Sequence, residues 1–177
     1  SACLVGSEMC IRDSVKAFAA LFDFKGVARR MERLGETANG ISVYSDYGHH
    51  PTAIRATLQG ARTRFAEQVI WAVWQPHTYS RTHLLAHEFA QAFKDADHAL
   101  ITDIYAAREQ PSTGPSEGDI VTWAHEAGHA DVRHTGGLSA TAATLRAEAK
   151  PGDVVIIFSA GDGPKIGELL LNGESHR

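Results

Sequence analysis

Short apolar runs separated by longer mixed segments set the pattern of this chain. Residues 69–74 (V-I-W-A-V-W) and 154–158 (V-V-I-I-F) are continuously apolar, and residues 99–104 nearly so. Runs this short, without polar alternation and bounded by turn residues, predict strands covered on both faces. Residues 41–44 predict another short strand, reached from an extended segment at 29–36 through Asn39-Gly40, a hairpin-type turn signal. A last short strand is predicted at 131–134. Between these pieces the apolar spacing becomes helical. Pro51 suits the first turn of a helix carried by 54–65. Residues 80–96 place Leu84, Leu85, Phe89 and Phe93 on one stripe, which predicts a single helix. A helix over 119–127 ends at Gly128, Ser139 caps a helix running to Lys150, and Gly161-Asp162-Gly163 turns into a last helix over 165–171. Residues 15–22 predict a short apolar helix before Gly26. Strands alternating with helices predict an α/β fold: a Rossmann-like three-layer sandwich, its sheet mostly parallel, with helices on both faces.

Open sheets of this kind bind ligands beyond the carboxyl ends of their strands. Four polar clusters fall there: S-D-Y-G-H-H-P at 45–51, Q-P-H-T-Y-S-R-T at 75–82, Y-A-A-R-E at 105–109 and S-A-G-D at 159–162. Capping and turn chemistry accounts for Ser, Thr and Asp in such places, but not for the histidines and arginines. The clusters therefore predict one convergent site.

Composition narrows the partners. The 177 residues suffice for one ordinary domain, and 44% apolar with 21% charged residues is a globular balance. A formal charge of −4 argues against a broad basic face, so no nucleic acid is expected as partner. No apolar run reaches the ~18 residues of a bilayer span, so no membrane is expected either. Cys3 and Cys10 are the only cysteines, which excludes a disulfide scaffold. H-E-A-G-H at 125–129 matches a zinc-helix pattern, but Gly128 and the strand signal after it put His129 past the helix end. Val132 and Thr135 stand where an extended zinc motif needs Gly and a third His. No metal site is expected. His83 and His87, one turn apart beside the apolar stripe, are expected to face solvent. The chain has no G-x-x-x-x-G-K-[ST] loop, and Gly161-Asp162-Gly163 is only a weak phosphate-cradle signal.

Taken in order, F-K-G-V-A-R-R-M-E at 24–32, D-Y-G-H-H-P-T at 46–52, Q-P-H-T-Y-S-R-T at 75–82, D-I-Y-A-A-R-E at 103–109, G-H-A-D-V at 128–132 and S-A-G-D at 159–162 resemble the C-terminal domain of the Mur ligase family. The resemblance spans residues 18–172, and the second and third stretches are similar to its alanine-adding branch. It implies an ATP-dependent ligase of peptidoglycan precursor synthesis in the bacterial cytoplasm. In that reaction the carboxylate of UDP-N-acetylmuramate becomes an acyl phosphate, which the amine of L-alanine attacks to form an amide. Such enzymes have three domains: one for the UDP-sugar, one with the P-loop that holds ATP and magnesium, and a third that binds the amino acid and closes over ATP.

On this resemblance, residues 15–24 are expected to be the end of the central ATPase domain and its linker, and residues 25–177 the C-terminal domain. Residues 4–14 resemble a translated sequencing adapter, which would make 1–14 a non-native segment. The resemblance implies ATP contacts for Arg30, Asp46 and Tyr47, and an amino-acid pocket lined by His49, His77 and Arg81, with Arg81 on the alanine carboxylate. It implies no catalytic residue here: the P-loop lysine and magnesium ligands would lie elsewhere, so this chain alone is expected to be inactive and to bind no cofactor by itself. Ser45, Ala53 and Thr78 depart from residues common in the family, and Thr78 weakens a two-arginine clamp on the substrate. Two alternatives stay open: another Mur or folylpolyglutamate synthase-like ligase sharing this domain, and a stand-alone histidine-rich binding domain.

Overall fold

The computed structural model describes residues 27–172. The helix expected over 15–22 and the segments assigned to 1–14 and 15–24 lie outside the described residues. In chain order the elements are β1 (Glu32–Glu36), β2 (Ser42–Asp46), α1 (Pro51–Arg64), β3 (Ile70–Trp74), α2 (Tyr79–Leu84), α3 (Ala86–Ala90), β4 (His98–Thr102), α4 (Glu117–Glu126), β5 (Val132–Gly136), α5 (Leu138–Glu148), β6 (Val154–Phe158) and α6 (Pro164–Asn172). The strands form one six-stranded sheet in the order β1-β2-β6-β3-β4-β5. Only β1 runs antiparallel, paired with β2 across the Asn39-Gly40 turn; every other neighbour is parallel. Gly40, at φ +83°, supplies the left-handed turn residue a hairpin of this kind needs.

Burial on both faces explains why the central strands carry no polar alternation. Ile70, Ala72 and Trp74 of β3, with Ile156 and Phe158 of β6, point to one side, where Ile54 and Leu58 of α1, Phe89 of α3, Phe93 and Ile120 of α4 cover them. Trp71, Val73, Val155 and Ile157 point to the other, against Ala142 and Leu145 of α5 and Ile166 and Leu170 of α6. Side chains alternate across a strand, so each half of an apolar run feeds a different core. A buried polar contact ties neighbouring strands: the Trp71 indole donates to Asp153 Oδ2 at 2.9 Å while the ring stacks on His98 at 3.9 Å.

Three local expectations need correction. The segment 80–96 is not one helix: α2 and α3 meet at Leu85, and turns follow Ala90. The break rotates Leu84 out of the stripe, leaving it 79% exposed, while Phe89 and Phe93 stay buried. The cap of α5 is Gly137, with no side-chain cap bond; Ser139 lies within the first turn instead. The extended piece before the hairpin starts only at Glu32, because Arg29 and Met31 take left-handed backbone angles. Pro51 does open α1, preceded by His50, whose Nδ1 accepts from the Thr52 N–H at 3.3 Å. Ser116 caps α4 in a reciprocal capping box with Asp119.

Candidate functional site

The carboxyl ends of β2, β6 and β3 lie side by side, with Asp46 and Trp74 both paired to Phe158. Backbone pairing continues into the loops: Ser159 N–H donates to Asp46 O at 3.0 Å, Gln75 N–H to Phe158 O at 2.9 Å and Tyr105 N–H to Pro76 O at 2.8 Å. The four polar clusters therefore leave the sheet from one edge, in the order set by strand pairing rather than by sequence.

On the β2 side, Asp46 is only 3% exposed. Its Oδ1 accepts the Gly48 N–H at 2.7 Å and its Oδ2 the Met31 N–H at 3.0 Å. Tyr47 presents its ring to solvent and carries the Arg29 guanidinium 4.9 Å from its centroid. Arg29 Nη2 also donates to Ser159 O at 2.5 Å and to Gly161 O at 3.2 Å. His49 packs edge-on against Tyr47, its Nδ1 2.9 Å from Tyr47 O. Arg30, the arginine singled out from the sequence, is exposed. Its neighbour Arg29, which has a left-handed backbone, is the one that enters the loops.

At the centre, Gln75 is a buried hub. It donates to Asp162 Oδ1 at 2.7 Å and accepts from Ser159 Oγ at 2.7 Å and from Gly163 N–H at 2.9 Å. Burial works against the Asp162 anion, but the bonds from Gln75 and Lys165 outweigh it and leave the carboxyl below its usual range. On the β3 side, Arg81 Nη1 donates to His77 O at 2.8 Å, and the His77 ring stacks on Tyr105 at 5.5 Å with 14° between planes. Burial, then the Arg81 charge, hold the His77 imidazole below its ordinary value; His49 adds a smaller push in the same direction. Thr78 and Ser80 hydroxyls both donate to Glu109 Oε1 at 2.5 Å, and Ser80 N–H donates to its Oε2 at 2.8 Å. These bonds, the Ser80 hydroxyl first, hold Glu109 down to about 2.

The edge thus carries Asp46, Tyr47 and His49 on one side of the 159–162 turn and His77 and Arg81 on the other. Arg29, Gln75, Glu109 and Ser159 belong to the same network without having been singled out. Gln75 and Glu109 stand at the start and end of stretches quoted above, so their place in the motifs was the available signal; for Arg29 against Arg30 there was none. Against a nucleotide the residues fit one wall only. They offer an exposed aromatic ring with an arginine over it.

The H-E-A-G-H histidines serve as tertiary braces. Helix α4 stops at Glu126. His129 Nε2 donates to Phe93 O at 3.1 Å and its Nδ1 accepts from Asp131 N–H at 3.3 Å, while both His125 nitrogens face the carbonyls of His129 and Val132. His87 is exposed at its edge but stacks on Trp123 at 3.9 Å. Among the described residues, Asp103, Glu117 and His134 bring potential metal donors within 4.8 Å of one another. Within that cluster His134 Nε2 lies 2.9 Å from Asp103 Oδ1, and Glu117 Oε1 accepts the Ile104 N–H. A cleft of about 750 Å³ between α3 and the end of α4 opens beside the segments entering β4 and β5, away from this edge.

Comparison with known proteins agrees with the fold and the motifs. Residues 29–161 match the family described as Mur ligase, glutamate ligase domain. A UDP-N-acetylmuramate–L-alanine ligase of Anaeromyxobacter dehalogenans is 44% identical over 167 residues, covering 94% of this chain and 36% of the relative. The crystal structure of the Thermotoga maritima UDP-N-acetylmuramate-alanine ligase superposes with a TM-score of 0.74 at 23% identity, over 94% of this chain and 36% of that one, a likeness of fold. A murein peptide ligase from Psychrobacter arcticus gives 0.71 at 30% identity, over 90% and 32%. The chain spans about a third of the length of the curated relatives it matches. With most of its described residues inside the matched span, and with the parallel sheet and its loop edge in place, the chain belongs to the Mur ligase, glutamate ligase domain family.

Proposed function

We propose that this chain is the amino-acid-binding portion of an ATP-dependent UDP-N-acetylmuramate–L-alanine ligase, working in the cytoplasm in peptidoglycan precursor synthesis. The observation that carries the reading is the gathering of His49, His77 and Arg81 at one sheet edge beside Tyr47, in a chain 44% identical to a ligase of that name. In this reading residues 25–177 form the domain and 15–24 lead into it from the ATPase portion.

The geometry supplies a chemical role for each group. Arg81 is anchored through Nη1 on the His77 carbonyl, which leaves the rest of its guanidinium fork for the alanine carboxylate. Burial and Arg81 keep His77 neutral near pH 7, so no second fixed positive charge stands against an incoming ammonium. His49 directs Nδ1 at the Tyr47 carbonyl; with the proton there, Nε2 is an acceptor for an alanine N–H. Tyr47, under the Arg29 guanidinium, faces the nucleotide side, with Asp46 fixing the loop below it. When bound, ATP with magnesium would supply the phosphoryl group that activates the muramate carboxylate; the ATPase portion would hold it, with Arg30, Asp46 and Tyr47 contacting it from this chain. Arg30 remains available at the exposed approach to that side.

The test has two arms. The isolated chain, given UDP-N-acetylmuramate, L-alanine and ATP, should form no amide product; turnover would overturn the fragment reading. Supplied in one polypeptide with the ATPase and UDP-sugar portions of a relative, it should restore alanine-dependent phosphate release, and Arg81→Ala should raise KM for alanine. Selective turnover of another amino acid by that hybrid would replace the substrate assignment.

A further inference from the structure

Helix α2 has no cap of its own. Thr78 is its N-cap residue, yet its side chain makes no cap bond to the helix. A helix start leaves N–H groups without internal partners, and a carboxylate is the natural complement. Here the carboxylate comes from a different loop. Glu109, which follows β4, accepts from Thr78 Oγ1, Ser80 Oγ and Ser80 N–H. Thr78 and Ser80 lie between His77 and Arg81, so these bonds hold the backbone that carries both. The same two loops are tied again where Tyr105 N–H donates to Pro76 O, and where the Tyr105 ring stacks on His77. Every one of these contacts crosses from the 75–82 loop to the 103–109 loop, so the placement of Arg81 depends on a segment far away in sequence.

We propose that Glu109 is a positioning residue: it caps α2 in trans from the β4 loop and so fixes the His77–Arg81 pair that meets the amino acid, without touching the substrate itself. The proposal rests on reading that loop as the amino-acid pocket, but its first test does not need a ligand. The Glu109 anion accepts all three bonds at once. Glutamine keeps one acceptor oxygen and turns an amide N–H2 toward the remaining donors, so Glu109→Gln should lose part of the hold and Glu109→Ala all of it.

The experiment is hydrogen exchange and side-chain NMR on the 177-residue chain, comparing wild type, E109Q and E109A. Ser80 N–H and the Arg81 guanidinium protons should exchange about tenfold faster in E109A, the loss expected for one hydrogen bond, with E109Q between. Amides of β3 and β6 should keep their wild-type protection, which separates loosening of the loop from general unfolding. If Ser80 loosens while Arg81 exchange and the Arg81–His77 contacts stay as in wild type, the cap is local and the positioning role is overturned. Unchanged Ser80 exchange in E109A overturns it outright. A second arm uses the hybrid enzyme described above. E109A should raise KM for alanine about tenfold with kcat held within a few-fold, and E109Q should recover part of it. A KM equal to wild type overturns the proposal even if the loop loosens. If wild-type hybrid shows no alanine dependence while the ligand-free results hold, the pocket assignment fails and the role of Glu109 in setting Arg81 stands.

Discussion

Asp46 offers a sharp test because the resemblance assigns it to nucleotide binding while the fold uses it first. Its two oxygens take the Gly48 and Met31 backbone N–H groups, at 2.7 and 3.0 Å, from a position 3% exposed. Asparagine has the same shape but one acceptor oxygen. The shorter bond to Gly48 should be kept, and the amide N–H2 then faces the Met31 N–H, donor against donor. A hydrogen bond to a charged group contributes about 1.5–3 kcal/mol, and a buried N–H left unpaired costs about 1–3 kcal/mol. The two figures overlap rather than add, and Met31 is partly exposed, so water relieves some of the loss. Asp46→Asn should therefore destabilise the ligand-free chain by about 2–3 kcal/mol. Urea unfolding followed through the buried Trp71 and Trp74 would measure it, as a lower midpoint at unchanged slope. The loosened segment carries Arg29, so its contacts over Tyr47 should weaken with it. If D46N stays within about 0.5 kcal/mol of wild type, the carboxylate is not holding the 28–31 turn and the reasoning from its bonds is wrong.

Three further outcomes follow from other parts of the structure. His77 and His129 are both held below the ordinary histidine value of 6.5, chiefly by burial, so the unfolded chain takes up protons at higher pH than the folded one. Stability should be full above that value and fall as pH drops through the window beneath it, a slope that His129→Gln should flatten in urea titrations at stepped pH. Leu84→Lys should change stability by less than about 0.5 kcal/mol, while Phe89→Ala should cost about 3–5 kcal/mol, by thermal or urea unfolding; a large effect at Leu84 would restore the single-helix picture. A Cβ on Gly163 would sit 2.5 Å from Ser159 Cβ, with Ser159 tied to Gln75, so Gly163→Ala should cost about 1–3 kcal/mol, and a neutral result would mean the hub yields easily.

The chain's own order of residues carried a great deal. Strands of continuous apolar residues between amphipathic segments predict a parallel sheet buried on both faces, because no other common arrangement covers both sides of such a run. The hairpin at Asn39-Gly40, the first-turn Pro51 and the end of α4 before Gly128 are local steric facts, readable wherever they occur. So were the polar clusters at strand ends; the choice of Asp46, Tyr47, His49, His77 and Arg81 within them came from the family resemblance. What stayed out of reach depends on distance in sequence. Insertion of β6 between β2 and β3 brings Ser159 against both Asp46 and Gln75, and only that pairing makes the edge continuous. The carbonyls of Ser159 and Gly161 that receive Arg29, and the Glu109 carboxylate that caps a helix on another loop, come from far along the chain. Local periodicity reports which face of a segment is apolar; it holds no information about which distant carboxylate or carbonyl will satisfy a buried N–H, and tertiary packing alone decides that.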